Sequence, residues 1–129
     1  MIERFTRELE AVGGHVHHGR AALAELARDG ASVTPCLVLI ADTGTAVISA
    51  RLSGGRRAGL VDPVHVIEAS AGQLVPDIAA ALDVVGAELL ASSSVTFVTG
   101  PSRTGDIEQN LIRGVHGPGE VHVVFVEPS

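Results

Sequence analysis

An α/β layered fold with a mostly parallel sheet is what this sequence predicts, on three observations. Strand-like and helix-like periodicities alternate through the second half of the chain, between His65 and Val126. The run Val121 to Val126 (VHVVFV) is apolar with one polar interruption, the pattern of a central strand covered on both faces. The length of 129 residues, 46% of them hydrophobic, suits one domain, residues 1–129, that buries its core without disulfide or metal staples.

Each element follows from its local pattern. Ile2, Phe5, Leu9 and Val12 recur at helical spacing until Gly13-Gly14 stops them, so the chain opens with an amphipathic helix. A short strand, HVHH, follows. Arg20 to Arg28 is rich in Ala, Leu and Glu and ends at Asp29-Gly30, which reads as a second helix with a glycine stop. The period then changes. Cys36 to Ala41 and Thr45 to Ala50 are β-type runs separated by Asp42-Thr43-Gly44, chemistry that suits a hairpin. RLSGGRRAGL, from Arg51 to Leu60, is a loop by composition, and His65 to Glu68 gives another short strand. Leu74, Ile78, Leu82, Val85 and Leu89 make an apolar stripe at helical spacing. A regular helix is expected from Pro76 to Leu90, with Pro76 in its first turn. Val95 to Thr99 (VTFVT) is the next strand, a helix is expected from Thr104 to Arg113, and Val121 to Val126 closes the sheet.

Composition removes several functions. A net charge of −6 and an aromatic share of 2%, with no Trp or Tyr, supply neither the basic face nor the stacking rings that nucleic-acid binders use. The single Cys36 excludes an intramolecular disulfide and a four-cysteine iron–sulfur cluster supplied by one chain. Its apolar surroundings, Pro35 to Ala41, read as those of a buried structural thiol. The opening MIERFTRELE mixes charges with apolar residues, unlike a secretory leader, and the longest apolar runs are too short to span a bilayer. A cytoplasmic protein without membrane association is therefore expected.

The stretch most suggestive of ligand binding is Val98 to Pro118, VTGPSRTGDIEQNLIRGVHGP. Gly100-Pro101-Ser102 breaks the preceding strand, and Asp106 and Glu108 sit early in the expected helix, which Gly114 can end. A strand, a Gly/Ser/Thr turn and a helix N-terminus direct backbone N–H groups and a positive dipole end at an anion. A helix cap alone explains Ser102 and Thr104. It does not explain Arg103 between them, which opposes the dipole unless an anion is shared. Gly100, Pro101, Ser102, Arg103 and Thr104 are therefore read as an anion or carboxylate pocket at a strand end, where open α/β sheets bind ligands. Asp106 is spaced to hold the Arg103 guanidinium across one helical turn. His116, followed by Gly117-Pro118, is equally a loop imidazole or a ligand-contacting acid–base group.

Other polar residues carry less. The Asp42-Thr43-Gly44 turn, read alone, is a hairpin and nothing more. His15 and His17 share one strand face, yet no carboxylate or cysteine stands nearby in sequence to complete a metal set. HVHH is accordingly read as a surface histidine cluster, and no metal is expected. His65 and His122 alternate with apolar residues as sheet positions do.

GGHVH near the start, IADTGTAVIS in the middle and TGPSRTGDIEQNLIRGVHGPGEVHVVFV at the end stand in order over most of the chain. On these blocks the sequence resembles the LUD-domain family, the lactate utilization protein C-like proteins. The resemblance implies a Rossmann-like three-layer fold of the type shared by sugar-phosphate isomerases and coenzyme A transferases. It also implies membership of a bacterial system that oxidizes L-lactate to pyruvate. It makes the hairpin turn a second wall of the pocket, with the Thr43 and Thr45 hydroxyls and the Gly44 backbone as donors.

Two departures stand beside the likeness. Gly30 to Thr34 runs almost directly into the hairpin where family members are longer, and a strand and helix missing there leave a sheet edge that a homodimer can cover. The cysteine motifs of the iron–sulfur members of the same system are absent, so electron transfer belongs to a partner subunit. The primary expectation is a non-redox component that binds a small carboxylate or partner subunits. The alternatives are a small isomerase-like or acyl-transfer-like enzyme with a phosphate at the GPSRT turn, or a shortened association module without a ligand site. No paired carboxylates or activated nucleophile pick out a reaction, and no cofactor is expected.

Overall fold

The computed structural model describes residues 1–28, 31–49, 64–91, 95–100, 104–107 and 119–126, with backbone alone at 104–107. The opening amphipathic pattern becomes helix α1, Ile2–Ala11, which buries Phe5 and Leu9 on one face. Strand β1 (His15–His18) and helix α2 (Arg20–Arg28) follow as their patterns require. Ser32–Pro35, which has too few residues to show a period, is strand β2. The hairpin forms from β3 (Val38–Ile40) and β4 (Thr45–Ser49), antiparallel, with Val38 opposite Val47. Then come β5 (Val64–Ala69), a 3-10 turn at Ala71–Gln73, β6 (Leu74–Val75), helix α3 (Ile78–Leu89), β7 (Val95–Val98), β8 (Thr104–Ile107) and β9 (Glu120–Phe125).

The strands form two sheets. The first, in the order β1-β9-β5-β2, is parallel throughout and is the sheet that the strand–helix alternation predicts. The last strand is indeed central in it, with β1 and β5 on either side. This parallel sheet is covered on both faces. On one face Ala22, Leu23 and Leu26 of α2 pack against Val66, Val124 and Val126. On the other, Ile67, Ala69, Val121, Val123 and Phe125 meet α1 and the inner face of the second sheet. Phe5 of α1 stands edge-on to Phe125, with ring centroids 5.7 Å apart. The second sheet, β6-β3-β4-β7-β8, is antiparallel except where β3 meets β6, and Ala81 and Val85 of α3 cover its outer face.

Two expectations require correction. Thr104–Ile107 is not the start of a helix: it is β8, paired antiparallel with β7 so that Thr104 lies opposite Val98 and Asp106 opposite Thr96. TGDI has no apolar periodicity of its own, and the hydrogen-bonding edge that β7 presents sets its conformation, a tertiary override of local preference. The rest of the expected helix, 108–113, falls outside the described residues, as does the Arg51 to Leu60 loop.

The second correction concerns α3. It begins at Ile78, after Asp77, whose carboxylate accepts the Ala80 N–H at 2.9 Å. Pro76 precedes this cap, and Leu74 belongs to β6. Only Val85 of the apolar stripe faces inward from this helix: Ile78, Leu82 and Leu89 are exposed, while Ala81 and Glu88 are buried beside Val85. The small Ala81 lets the helix lie close on the sheet, and Glu88 is satisfied by the Ser49 hydroxyl at 2.5 Å. No helix among the described residues is long and apolar enough to cross a membrane.

Candidate functional site

Two strand ends that are distant in sequence converge on the last turn of α1. The β3–β4 turn closes with Gly44 N–H donating to Ile40 C=O at 3.0 Å, and Gly44 takes a φ of +65°. A side chain is excluded there twice over. The left-handed backbone favours glycine, and an added Cβ would press on the α1 backbone, 2.8 Å from Leu9 Cα. Gly100, just past β7, repeats the arrangement: its φ is +81°, and an added Cβ would lie 2.8 Å from Val12 Cγ2 and 3.0 Å from the Val12 carbonyl oxygen.

This close approach aligns three hydroxyls. Thr45 Oγ1 lies 2.7 Å from Thr43 Oγ1 and 2.6 Å from Thr99 Oγ1. The chain borders a cavity of about 610 Å³ lined by the apolar Ile40 and Phe97 and by the polar Glu8, Asp42, Thr43 and Thr99. Each hydroxyl donates one proton and accepts through its lone pairs, so a chain of three has donor and acceptor capacity left for a ligand at its ends. Arg4 Nε reaches Asp42 Oδ1 at 3.3 Å, an exposed pair that offsets part of the acidic charge in the lining and contributes little stability.

Of the residues expected in a pocket, Thr43, Gly44, Thr45 and Gly100 are brought together here. Pro101, Ser102, Arg103, His116 and Gly117 fall outside the described residues. Thr104 and Asp106 are on β8, so the helix dipole and the helical Arg103–Asp106 spacing do not support an anion site. Thr99 was missing from the expected set. Its signal is the Thr-Gly pair ending an apolar strand, the same pair that ends in Gly44 at the other turn.

A second crevice, of about 260 Å³, opens at the C-terminal ends of β2, β5 and β9, the edge where parallel sheets take ligands. Arg20, Glu68, Ser70 and Gln73 line it, and none of them stood out in the sequence. Gln73 is held in place: its Nε2 donates to the Cys36 carbonyl at 2.8 Å, and its Oε1 accepts from the Ser70 N–H at 2.9 Å and from the Cys36 thiol at 3.2 Å. Burial pushes the Cys36 thiol up to about 12, which makes it the structural thiol its apolar surroundings suggest.

The histidines form a third cluster on the α2 side of the parallel sheet. His122 Nδ1 lies 2.9 Å from His17 Nε2, and His122 Nε2 lies 2.9 Å from Glu120 Oε1. The His15 ring stacks on His122 with centroids 4.7 Å apart. Burial first, then the imidazoles of His122, His15 and His18, hold His17 below its ordinary value. The carboxylate absent near HVHH in sequence thus comes from Glu120, on the neighbouring strand β9.

A family model described as the LUD domain matches residues 20–126. Lactate utilization protein C of Deinococcus radiodurans is 36% identical over 104 residues, 80% of this chain and 49% of that protein. The protein of the same name from Bacillus licheniformis is 28% identical over 124 residues, 93% of this chain and 50% of its own length. The chain spans about half the length of the curated relatives it matches. In three dimensions it is similar to the crystal structure of a DUF162 family protein from Deinococcus radiodurans. The TM-score is 0.77 at 20% identity, over 98% of this chain and 96% of that one, a likeness of fold.

Proposed function

This chain belongs to the LUD domain family, and from that premise we propose that it serves lactate utilization by holding a small 2-hydroxy or 2-oxo carboxylate where Thr45 meets Thr99. The observation that carries the reading is the convergence of two sequence blocks, IADTGTAVIS and VTFVTG, on one chain of hydroxyls beside a cavity. The proteins named lactate utilization protein C that resemble this chain support the choice of ligand class.

In this reading the threonine hydroxyls take the 2-hydroxyl or 2-oxo group, and Arg103 takes the carboxylate by a bidentate contact. Arg103 directly precedes Thr104, which pairs with Val98 next to Thr99, and this neighbourhood supports its assignment. The chain is a non-redox component of a bacterial L-lactate to pyruvate oxidation. Electrons leave the substrate through an iron–sulfur partner subunit, since a single buried cysteine cannot hold a cluster. A cytoplasmic location, a single domain over residues 1–129 and a homodimer belong to the same proposal.

Isothermal titration of the protein with L-lactate, pyruvate, inorganic phosphate and coenzyme A tests it. Saturable binding of L-lactate or pyruvate, weakened at least about tenfold by Arg103→Ala, is the expected result, the loss of a charge-assisted contact. Binding of phosphate or coenzyme A in place of both acids overturns it in favour of an isomerase-like or acyl-transfer-like enzyme.

A further inference from the structure

We infer that His15, Glu120 and His122 form a binding site for one divalent transition-metal cation of the zinc class, with His17 supporting His122 from behind. The site lies on the α2 side of the parallel sheet, at the N-terminal ends of β1 and β9. It shares no residue with the threonine groove.

Strand geometry builds it. The period of two puts His15 and His17 on one face of β1, and Glu120 and His122 on one face of β9. The parallel register pairs His15 with His122, which sets the two imidazoles abreast on neighbouring strands. The ligand atoms of His15, Glu120 and His122 all lie within 4.8 Å of one another. Zinc bonds to nitrogen and carboxylate oxygen of about 2.1 Å separate tetrahedral ligand atoms by about 3.4 Å, so the Glu120–His122 pair, now 2.9 Å apart, opens slightly and the widest spacing closes by roughly an ångström. The side chains that have to move are free to do so, because His15 and Glu120 are both exposed.

His122 is the fixed point. Its side chain is 9% exposed, and its Nδ1 lies 2.9 Å from His17 Nε2. A metal-ligating imidazole characteristically uses its other ring nitrogen to donate to a second group that fixes tautomer and ring plane, and His17 stands in that position. His122 then presents Nε2 toward Glu120 Oε1, and the cation takes the place of the proton the two now share. Two nitrogens and one carboxylate oxygen suit zinc, nickel or copper, while magnesium prefers oxygen ligands. Three protein ligands leave a coordination position open to water or to an anionic group.

Calorimetric titration of the full chain with ZnCl2, and in parallel with MgCl2, decides the matter. The wild-type protein is expected to bind one Zn²⁺ per chain saturably and to show no heat of binding for Mg²⁺. His15→Ala and Glu120→Gln change exposed side chains and leave the fold intact, so each reports on ligation alone, with zinc affinity expected to fall at least about tenfold. His17→Ala is expected to weaken binding by about ten- to a hundredfold, the usual cost of removing such a support. His18→Ala serves as the comparison, since its ring stacks on Phe125 instead of joining the cluster, and its affinity should stay within about twofold. No saturable zinc binding, or equal affinity in wild type, His15→Ala and Glu120→Gln, overturns the inference.

Discussion

Thr45 and Thr99 are 54 positions apart in the chain, and their hydroxyl oxygens lie 2.6 Å from each other in the lining of a cavity. That contact ties the β3–β4 turn to the end of β7, and Thr45 is 3% exposed. Replacing Thr45 with Val keeps the shape and removes the shared hydroxyl, leaving Thr43 and Thr99 without their common partner. A loss of about 1–3 kcal/mol in urea-unfolding stability is expected. Stability unchanged within about 0.5 kcal/mol would show that water replaces the hydroxyl at no cost.

Glycine substitutions separate a backbone requirement from a mere tolerance. Gly44→Ala places a Cβ against the α1 backbone at a φ of +65° and should cost about 2 kcal/mol or more. Gly86 lies within α3 with no atom inside 4 Å of an added Cβ, so Gly86→Ala should stabilise by about 0.5–1 kcal/mol. Opposite signs in paired denaturation curves are the expected result.

The face that α3 buries is also open to test. Ala81→Leu overpacks a residue with 0% exposure against the second sheet and should cost about 1–3 kcal/mol. Leu82→Gln, at a position 49% exposed, should change stability by no more than about 0.5 kcal/mol. The sequence stripe predicts the reverse order.

Alkaline pH isolates Cys36. The chain has neither Lys nor Tyr, so among side chains only this thiol titrates between its ordinary 9.0 and the folded value of about 12. The folded value is raised, so the unfolded state loses its proton first. The thiol's contribution is complete below about pH 9 and declines as pH rises toward 12. Wild type should lose on the order of 2 kcal/mol between pH 9 and 11, and Cys36→Ala should lose much less. Equal pH dependence of the two proteins would mean that the thiol is solvated in the folded state.

Most of the fold was legible because α1, α2, the β3–β4 hairpin, β5 and the central β9 each carry a full period of pattern. The short strands β2, β6 and β8 do not, and only a neighbour's edge orders them. In α3 the larger side chains, Val85 apart, point outward, and nothing local reveals that Ala81 sets the approach or that Ser49 satisfies Glu88. At the groove, Thr43, Gly44, Thr45 and Gly100 were visible as turn residues, whereas Thr99 gains its role only from Thr45. The histidine cluster was half visible: HVHH stands out, but His17 and His122 are 105 residues apart and meet only because the first and last strands pair in parallel.

The central claim, a small carboxylate at the Thr45–Thr99 groove, is tested most directly by thermal unfolding with L-lactate and with pyruvate, on wild type, Thr45→Val and Arg103→Ala. A ligand that binds only the folded state raises apparent stability, by about 2.7 kcal/mol at a hundredfold excess over its dissociation constant. The account predicts a concentration-dependent rise in wild-type Tm that is lost in both variants. No rise at millimolar concentrations of either acid, or a rise that both variants keep in full, contradicts it.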